Sequence, residues 1–281
     1  MPQSGCHNSL SIDGDRFLEK EVAMRPEGMP TEPIPSDGAE PTGPSRQVLT
    51  GLNVIDEHFV PSLGLELEDY IAAGDLTGVH HLVRYIWATR VLCSCAGLGD
   101  ILDLGCGSGY GTSLLAQALP GVRVLGVDYD PNAVAEANRL RSLPNLRFAA
   151  GDPTDWSRTL GDGRYGAIVC FDVIEHVQHR ELMLEGIVEH LRPDGALLLS
   201  TPCGSPENIR TPGWVHHRIE YAAASLFDFL RRYFGRIEKS DDTDFPSRAV
   251  FEELHARGVD YLLRMNPVIC KAPITIRNPY R

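Results

Sequence analysis

Two short stretches of this chain hold the residue types that move protons or bind metal ions. Asp172-Val-Ile-Glu175-His176 sets two carboxylates beside an imidazole, and His216-His217-Arg-Ile-Glu220-Tyr221 sets two imidazoles near a carboxylate. A histidine with a carboxylate neighbour acts as a general base near neutral pH, because the carboxylate orients the ring and favours its cation. The same side chains suit a divalent metal such as Mg²⁺, which acidifies a hydroxyl bound to it. Three readings stay open. His176 or a loop histidine is a base; or Asp172, Glu175, His176 and His217 ligate a metal; or Glu175 and His176 only shape a pocket. His179 and His190 read as surface residues of the helix that follows. Trp214, Tyr221 and Phe227 either wall an aromatic or sugar acceptor or anchor the loop, and Tyr221 and Phe227 are read as anchors.

A third stretch binds rather than reacts. In Ile101-Leu-Asp103-Leu-Gly105-Cys106-Gly107-Ser-Gly109-Tyr-Gly111 an apolar run ends in closely spaced glycines and opens a helix. Glycines there permit positive φ and let a ligand approach bare backbone at a helix N-terminus. The dinucleotide pattern G-x-G-x-x-G fails, because its last position falls on Tyr110 or Thr112. Asp128, 19 residues beyond Gly109, ends the next apolar run, where a carboxylate accepts from both ribose hydroxyls of an adenosine.

The elements that must hold these groups follow from periodicity. Apolar runs DILDLG, RVLGVDY, LRFAAGD, AIVCFDVI and ALLLSTP read as strands, separated by helices at about 110–119, 131–142 and 179–191. Strand–helix alternation predicts a doubly wound, mostly parallel α/β sheet, its ligand crevice at the strands' C-terminal ends. NPVICKAPITI reads as a late strand at an antiparallel edge. Residues 52–96 read as helical, with Leu82, Ile86, Val83, Trp87 and Val91 on an apolar face. The Pro- and Gly-rich residues 1–50 bury too little to fold and read as a disordered tail.

A net charge of -12 makes a nucleic acid a poor default partner, since phosphate binding needs a concentrated basic face. Seven cysteines, an odd number, predict reduced thiols, and the C-x-C pair Cys93 and Cys95 has no second pair at zinc spacing. No apolar run reaches the ~18 residues of a membrane span, and no secretory pattern opens the chain. A cytoplasmic monomer or homodimer is expected.

The D-x-G-x-G-x-G turn resembles motif I of class I S-adenosylmethionine-dependent methyltransferases. HFVPSLG, HHLVRYIWA, FDVIEHVQH, LRPDGALLLSTP and MNPVICKAP resemble those of bacterial secondary metabolism and cell-surface sugar pathways. The resemblance implies a Rossmann-like, seven-stranded domain over 98–281 and an N-terminal helical lid over 51–97. It implies S-adenosylmethionine as cofactor, held by Asp103, Gly105, Cys106, Gly107, Gly109, Asp128 and Tyr129. Gly151, Asp152 (toward the adenine amino group), Pro153, Phe171 and Asp172 complete that set, and Arg84 and Tyr85 stand near the methionine carboxylate. D-x-x-E-H with H-R-I-E-Y is similar to the metal-binding arrangement of small-RNA terminal 2′-O-methyltransferases, with Asp172 where those carry Glu. Ubiquinone-pathway O-methyltransferases have a similar cluster. The expected reaction is methyl transfer to a hydroxyl or amine of a small molecule, such as a sugar or glycosylated natural product. The alternatives are an RNA or protein methyltransferase and a non-catalytic adenosylmethionine-binding partner in a biosynthetic assembly.

Overall fold

Each of the five expected apolar runs forms a strand in the computed structural model of the chain, which describes residues 58–156, 160, 163–202, 208–210, 212, 214–239 and 267–274. The strands are β1 (Ile101–Leu104), β2 (Val124–Asp128), β3 (Leu146–Ala150), β4 (Tyr165–Phe171) and β5 (Leu191–Ser200), followed by β6 (Phe234–Lys239) and β7 (Val268–Pro273). The sheet order is β3-β2-β1-β4-β5-β7-β6. The first five strands are parallel neighbours, and β7 runs antiparallel to both β5 and β6. The antiparallel element expected at the edge is therefore a pair, with β7 inserted between β5 and the outermost β6. β6 escaped the sequence reading because FGRIEK has only its first residue fully buried, which leaves a weak period-2 signal.

Strand residues alternate between two apolar layers, as the pleat requires. In β4, Ile168 and Cys170 pack with Met183, Leu184 and Ile187 of α5 (Arg180–His190) and with Leu226 and Leu230 of α6 (Ala223–Leu230). Ala167, Val169 and Phe171 enter the opposite layer. That layer holds α2 (Leu76–Cys93), α3 (Tyr110–Ala118) and α4 (Pro131–Leu140), with α1 (Leu67–Ala73) preceding them. Of the expected face of α2, Leu82, Val83 and Trp87 are fully buried. α4 starts as its sequence dictates, with Pro131 in the first turn and Asp130 Oδ1 accepting from the Asn132 amide at 2.9 Å.

His190 departs from expectation. It is buried, stacks on Trp156 with ring centroids 4.9 Å apart, and its Nδ1 bonds the Gly186 carbonyl at 2.8 Å. The last turn of α5 points it into the layer under the sheet, a direction that helix periodicity in a short segment does not fix. His179, just before the helix, is exposed as expected. Cys93 and Cys95 are free thiols bonded to backbone carbonyls. The tail read into residues 1–50 lies outside the described residues.

Candidate donor and acceptor site

The glycine turn is built from backbone bonds that demand its composition. Gly105 and Cys106 donate to the Val127 carbonyl at 2.8 and 3.0 Å, which ties the turn to the end of β2. Gly105, Gly107 and Gly109 have φ of 77, 50 and 72°, so alternate positions need the left-handed region. Gly109 is also tightly enclosed, since a Cβ there would lie 2.6 Å from Phe148 and 2.8 Å from Ala137. Asp128 closes the structure from the neighbouring strand. Its Oδ2 accepts from Gly107 N–H at 2.7 Å and its Oδ1 from Asp130 N–H at 3.0 Å. Burial pushes its carboxyl up, while His58 nearby works against that. His58 Nε2 stands 3.7 Å from Asp128 and 3.5 Å from Asp130.

Across the turn, the end of β4 carries an ion pair. Asp172 adopts φ 52°, an uncommon conformation for a residue with a side chain, and its carboxylate pairs with Arg84 of α2, which is 1% exposed. His80 Nε2 reaches the same carboxylate at 3.3 Å, and Ser200 Oγ donates to it at 3.4 Å. Burial alone would raise the Asp172 pKa, but the Arg84 charge and the His80 bond outweigh it and hold the carboxyl far below its usual range. Burial and the Arg84 charge push His80 and His81 down, so both rings are neutral. Phe59 stacks on His81 at 4.5 Å and its carbonyl accepts from Ser108 Oγ at 2.8 Å, so the segment before α1 is fastened to the turn.

A second wall faces this one. Glu175, His176 and His217 bring one ligand atom each within 4.8 Å of one another. Glu175 is fully buried; Oε2 accepts from Thr201 at 2.8 Å, and Oε1 has no hydrogen-bond partner among the described residues. Burial, with the Asp172 charge added, pushes its carboxyl well up. His176 Nδ1 bonds the His216 carbonyl at 3.1 Å, and its Nε2 lies 3.9 Å from Glu175 Oε1. His217 Nδ1 meets Glu220 Oε1 at 3.0 Å, and the two rings form an edge-on pair at 4.9 Å. Each ring thus donates through Nδ1, and that bond sets the tautomer that leaves Nε2 as the basic nitrogen.

A cavity of about 440 Å³ joins these walls. Tyr85, Gly105, Cys106, Gly107, Phe171, Asp172, His176 and Arg84 line it, together with His217. Tyr129, Asp128, Asp152 and Pro153 line a second, adjoining cavity. Gly109 and Gly151 support the walls and line neither. Asp103 departs from its expected place at the cofactor. It is fully buried behind the turn, accepting from Thr112 Oγ1 at 2.6 Å and from Tyr85 at 3.1 Å, because the strand alternation turns it into the helical layer. Burial pushes it up to about 7, against the pull of those two hydroxyls. Tyr85 lines the cavity with its hydroxyl bonded to Asp103. Asp172 departs from the four-residue metal set, because Arg84 and His80 take up its carboxylate. Asp152 Oδ1 caps its own turn, accepting from the Thr154 amide and hydroxyl at 2.7 Å. Tyr221 and Phe227 are buried anchors, while Trp214, 49% exposed, lines both cavities.

Sequence reasoning missed His58, Phe59, His80, His81, Ser108 and Tyr110, which line the same cavity. His80 and Arg84, four residues apart on α2, carried a usable signal, since i and i+4 share a helix face. His58 and Phe59 carried none, because their partners are distant in sequence.

Residues 102–197 match the family model described as a methyltransferase domain. The chain is 37% identical over 144 residues to a Mycolicibacterium smegmatis protein named as a probable S-adenosylmethionine-dependent methyltransferase, covering 50% of this chain and 53% of that protein. It is 32% identical over 129 residues to the trans-aconitate 2-methyltransferase of Deinococcus radiodurans, covering 46% of this chain and 45% of that protein. The chain thus spans about half the length of the curated relatives it matches. Among solved structures, the CurJ carbon methyltransferase superposes with a TM-score of 0.52 at 15% identity, covering 73% of this chain and 60% of that one. A chain of the Haloferax volcanii complex between the Trm112 methyltransferase activator and a methyltransferase gives 0.51 at 19% identity, covering 76% of this chain and 100% of that one. These two likenesses speak to the fold.

Proposed function

We propose that the chain carries a class I S-adenosylmethionine-dependent methyltransferase domain and methylates a hydroxyl of a small molecule, with His217 as general base. One observation carries this reading: a carboxylate-oriented imidazole, His217–Glu220, lines the same cavity as the glycine turn. The residues fit the methyl donor. Asp128 presents a carboxylate at the end of β2 beside backbone that only glycine provides, and Arg84, Tyr110 and Phe171 line the cavity's far end. Asp128 would hold the ribose, the 105–107 backbone the nucleoside side, and the Arg84–Asp172 pair the amino-acid end. When bound, the donor supplies an electrophilic sulfonium methyl.

The remaining work belongs to the chain's own groups. Glu220 holds His217 so that Nε2 takes the acceptor's proton, and the carboxylate stabilises the imidazolium that results. His176, held through the His216 carbonyl, packs edge-on against His217 and fixes its approach. A carboxylate nucleophile is already charged and needs no base. A built base therefore supports a hydroxyl acceptor, in contrast to the trans-aconitate of the relatives' name. The aromatic face of Trp214 suits a sugar or ring-bearing metabolite. The α1–α2 region, with the His58–Phe59 segment, serves as the lid over the donor, and the chain works as a cytoplasmic enzyme.

A second reading rests on the partnerless, buried Oε1 of Glu175. With His176 and His217 it makes a three-donor set for Mg²⁺ or Mn²⁺, which would acidify the acceptor hydroxyl in place of a free base. Calorimetry and turnover separate the possibilities. S-adenosylhomocysteine should bind and NAD should not, and His217→Asn should keep that binding while abolishing label transfer from radiolabelled donor to a pool of hydroxylated acceptors. Absence of S-adenosylhomocysteine binding overturns the reading. Activity lost in EDTA and restored by Mg²⁺ or Mn²⁺ replaces the free base with the metal.

A further inference from the structure

A second cavity of about 830 Å³ adjoins the first and shares His58, Gly105, Asp172, His176, Trp214 and His217 with it. Its outer part is lined by residues that the first cavity lacks: Arg210, Val215, Arg218, His179 and His216. Both arginines are exposed. That concentration of cations is unexpected in a chain of net charge -12. Arg84, Arg123, Arg139, Arg231, Arg236 and Lys271 each meet a carboxylate. Among the described residues, Arg210 and Arg218 meet none, as is also true of Arg141 and Arg147, but of the arginines only Arg210 and Arg218 line this cavity. The acids of this cavity, Asp128, Asp152 and Asp172, lie on the donor wall, and each has an oxygen already engaged by backbone or by Arg84.

The two arginines are also fixed relative to the reacting groups. Arg218 donates its amide to the Glu175 carbonyl at 2.8 Å and its Nε to the His176 carbonyl at 3.0 Å. Ile209, next to Arg210, forms a two-bond antiparallel bridge with Glu220, the residue that orients His217. Cations anchored to the backbone of the base segment would place an anion at a set distance from that base. Loosely tethered surface charges would not.

We propose that Arg210 and Arg218 form an oxyanion-recognition site in the acceptor groove, which seats a phosphate or carboxylate group of the substrate while its hydroxyl reaches His217. It rests on the reading of the joined cavities as donor and acceptor sites. The guanidinium fork matches an oxyanion through two parallel N–H···O bonds, and a cationic mouth on an acidic protein steers anions selectively to that mouth. Trp214 lies against the same groove and offers a flat apolar surface to the rest of the molecule.

Tryptophan fluorescence tests this directly, because Trp87 and Trp156 are buried and Trp214 is exposed. Inorganic phosphate and malonate are titrated separately into the full chain at constant ionic strength, with and without saturating S-adenosylhomocysteine. A saturable change with phosphate assigns a phosphorylated acceptor, and one with malonate a carboxylated acceptor. In R210Q/R218Q the response should weaken at least about tenfold, with S-adenosylhomocysteine affinity unchanged. No saturable response to either anion, or one undiminished in the double variant, overturns the proposal. Failure to bind S-adenosylhomocysteine, with the anion response intact, overturns the donor reading and leaves the arginine site standing.

Discussion

The wall proposed to hold the donor and the wall proposed to hold the acceptor are built on different terms. On the first of these, Asp128 and Asp172, with Asp103 buried behind them, all hold hydrogen-bond or ion-pair partners, and each lies on a sheet strand or immediately after one. On the wall proposed for the acceptor, Glu175 Oε1 has no hydrogen-bond partner among the described residues, Arg210 and Arg218 meet no carboxylate there, Trp214 is half exposed, and the supports are loop backbone. Polar groups that partner one another serve a ligand of fixed shape, which the scaffold can anticipate. Groups held in place yet left open serve the partner that distinguishes one enzyme from the next.

The sharpest way to break this contrast is at Asp172. Asp172→Asn leaves the buried Arg84 guanidinium uncompensated and should cost about 3–5 kcal/mol, read as a lowered denaturant midpoint. The acceptor wall should respond in the opposite manner. His217→Asn should lower kcat about 10²–10⁴-fold while unfolding free energy moves by less than about 1 kcal/mol. If both variants chiefly lose stability, the two walls are not built differently. Gly109→Ala tests the turn itself: it combines strained φ with a crowded Cβ and should cost about 1–3 kcal/mol in a urea melt.

The smallest effect is a slope. Asp103 holds its proton up to about 7 in the fold, against a value of 3.8 in the absence of the fold. Between those limits the folded chain binds a proton that the unfolded chain does not, so this residue's contribution to stability declines as pH rises and levels off above 7. Asp103→Asn should flatten the fall in Tm between about pH 4 and pH 7, and an unchanged slope would place its origin elsewhere.

How much of this was legible in the sequence follows the same division. β1 through β5 and the glycine turn are local patterns, in which burial on both sheet faces or left-handed backbone dictates residue type. Asp128 followed from its spacing to that turn. Asp103 misled because its neighbours are ligand-facing backbone, and only the strand pleat decides that its carboxylate turns to Tyr85 and Thr112. The His58–Asp128 contact and the Arg84–Asp172 pair join residues far apart in the chain, so neither leaves a periodicity to read. The withdrawal of Asp172 from the metal set is a consequence of that second pair.

The strand order at the sheet's end has a bearing on the chain's birth. β7 lies between β5 and β6, yet β6 precedes it in sequence. As synthesis proceeds, β5 and β6 exist before the strand that joins them, and their facing edges have no partner until residues 268–273 emerge. Pairing across such separations is slow, and open strand edges invite association with other chains. The interval between the appearance of β6 and the arrival of β7 is when a nascent chain of this kind is most exposed to misassembly.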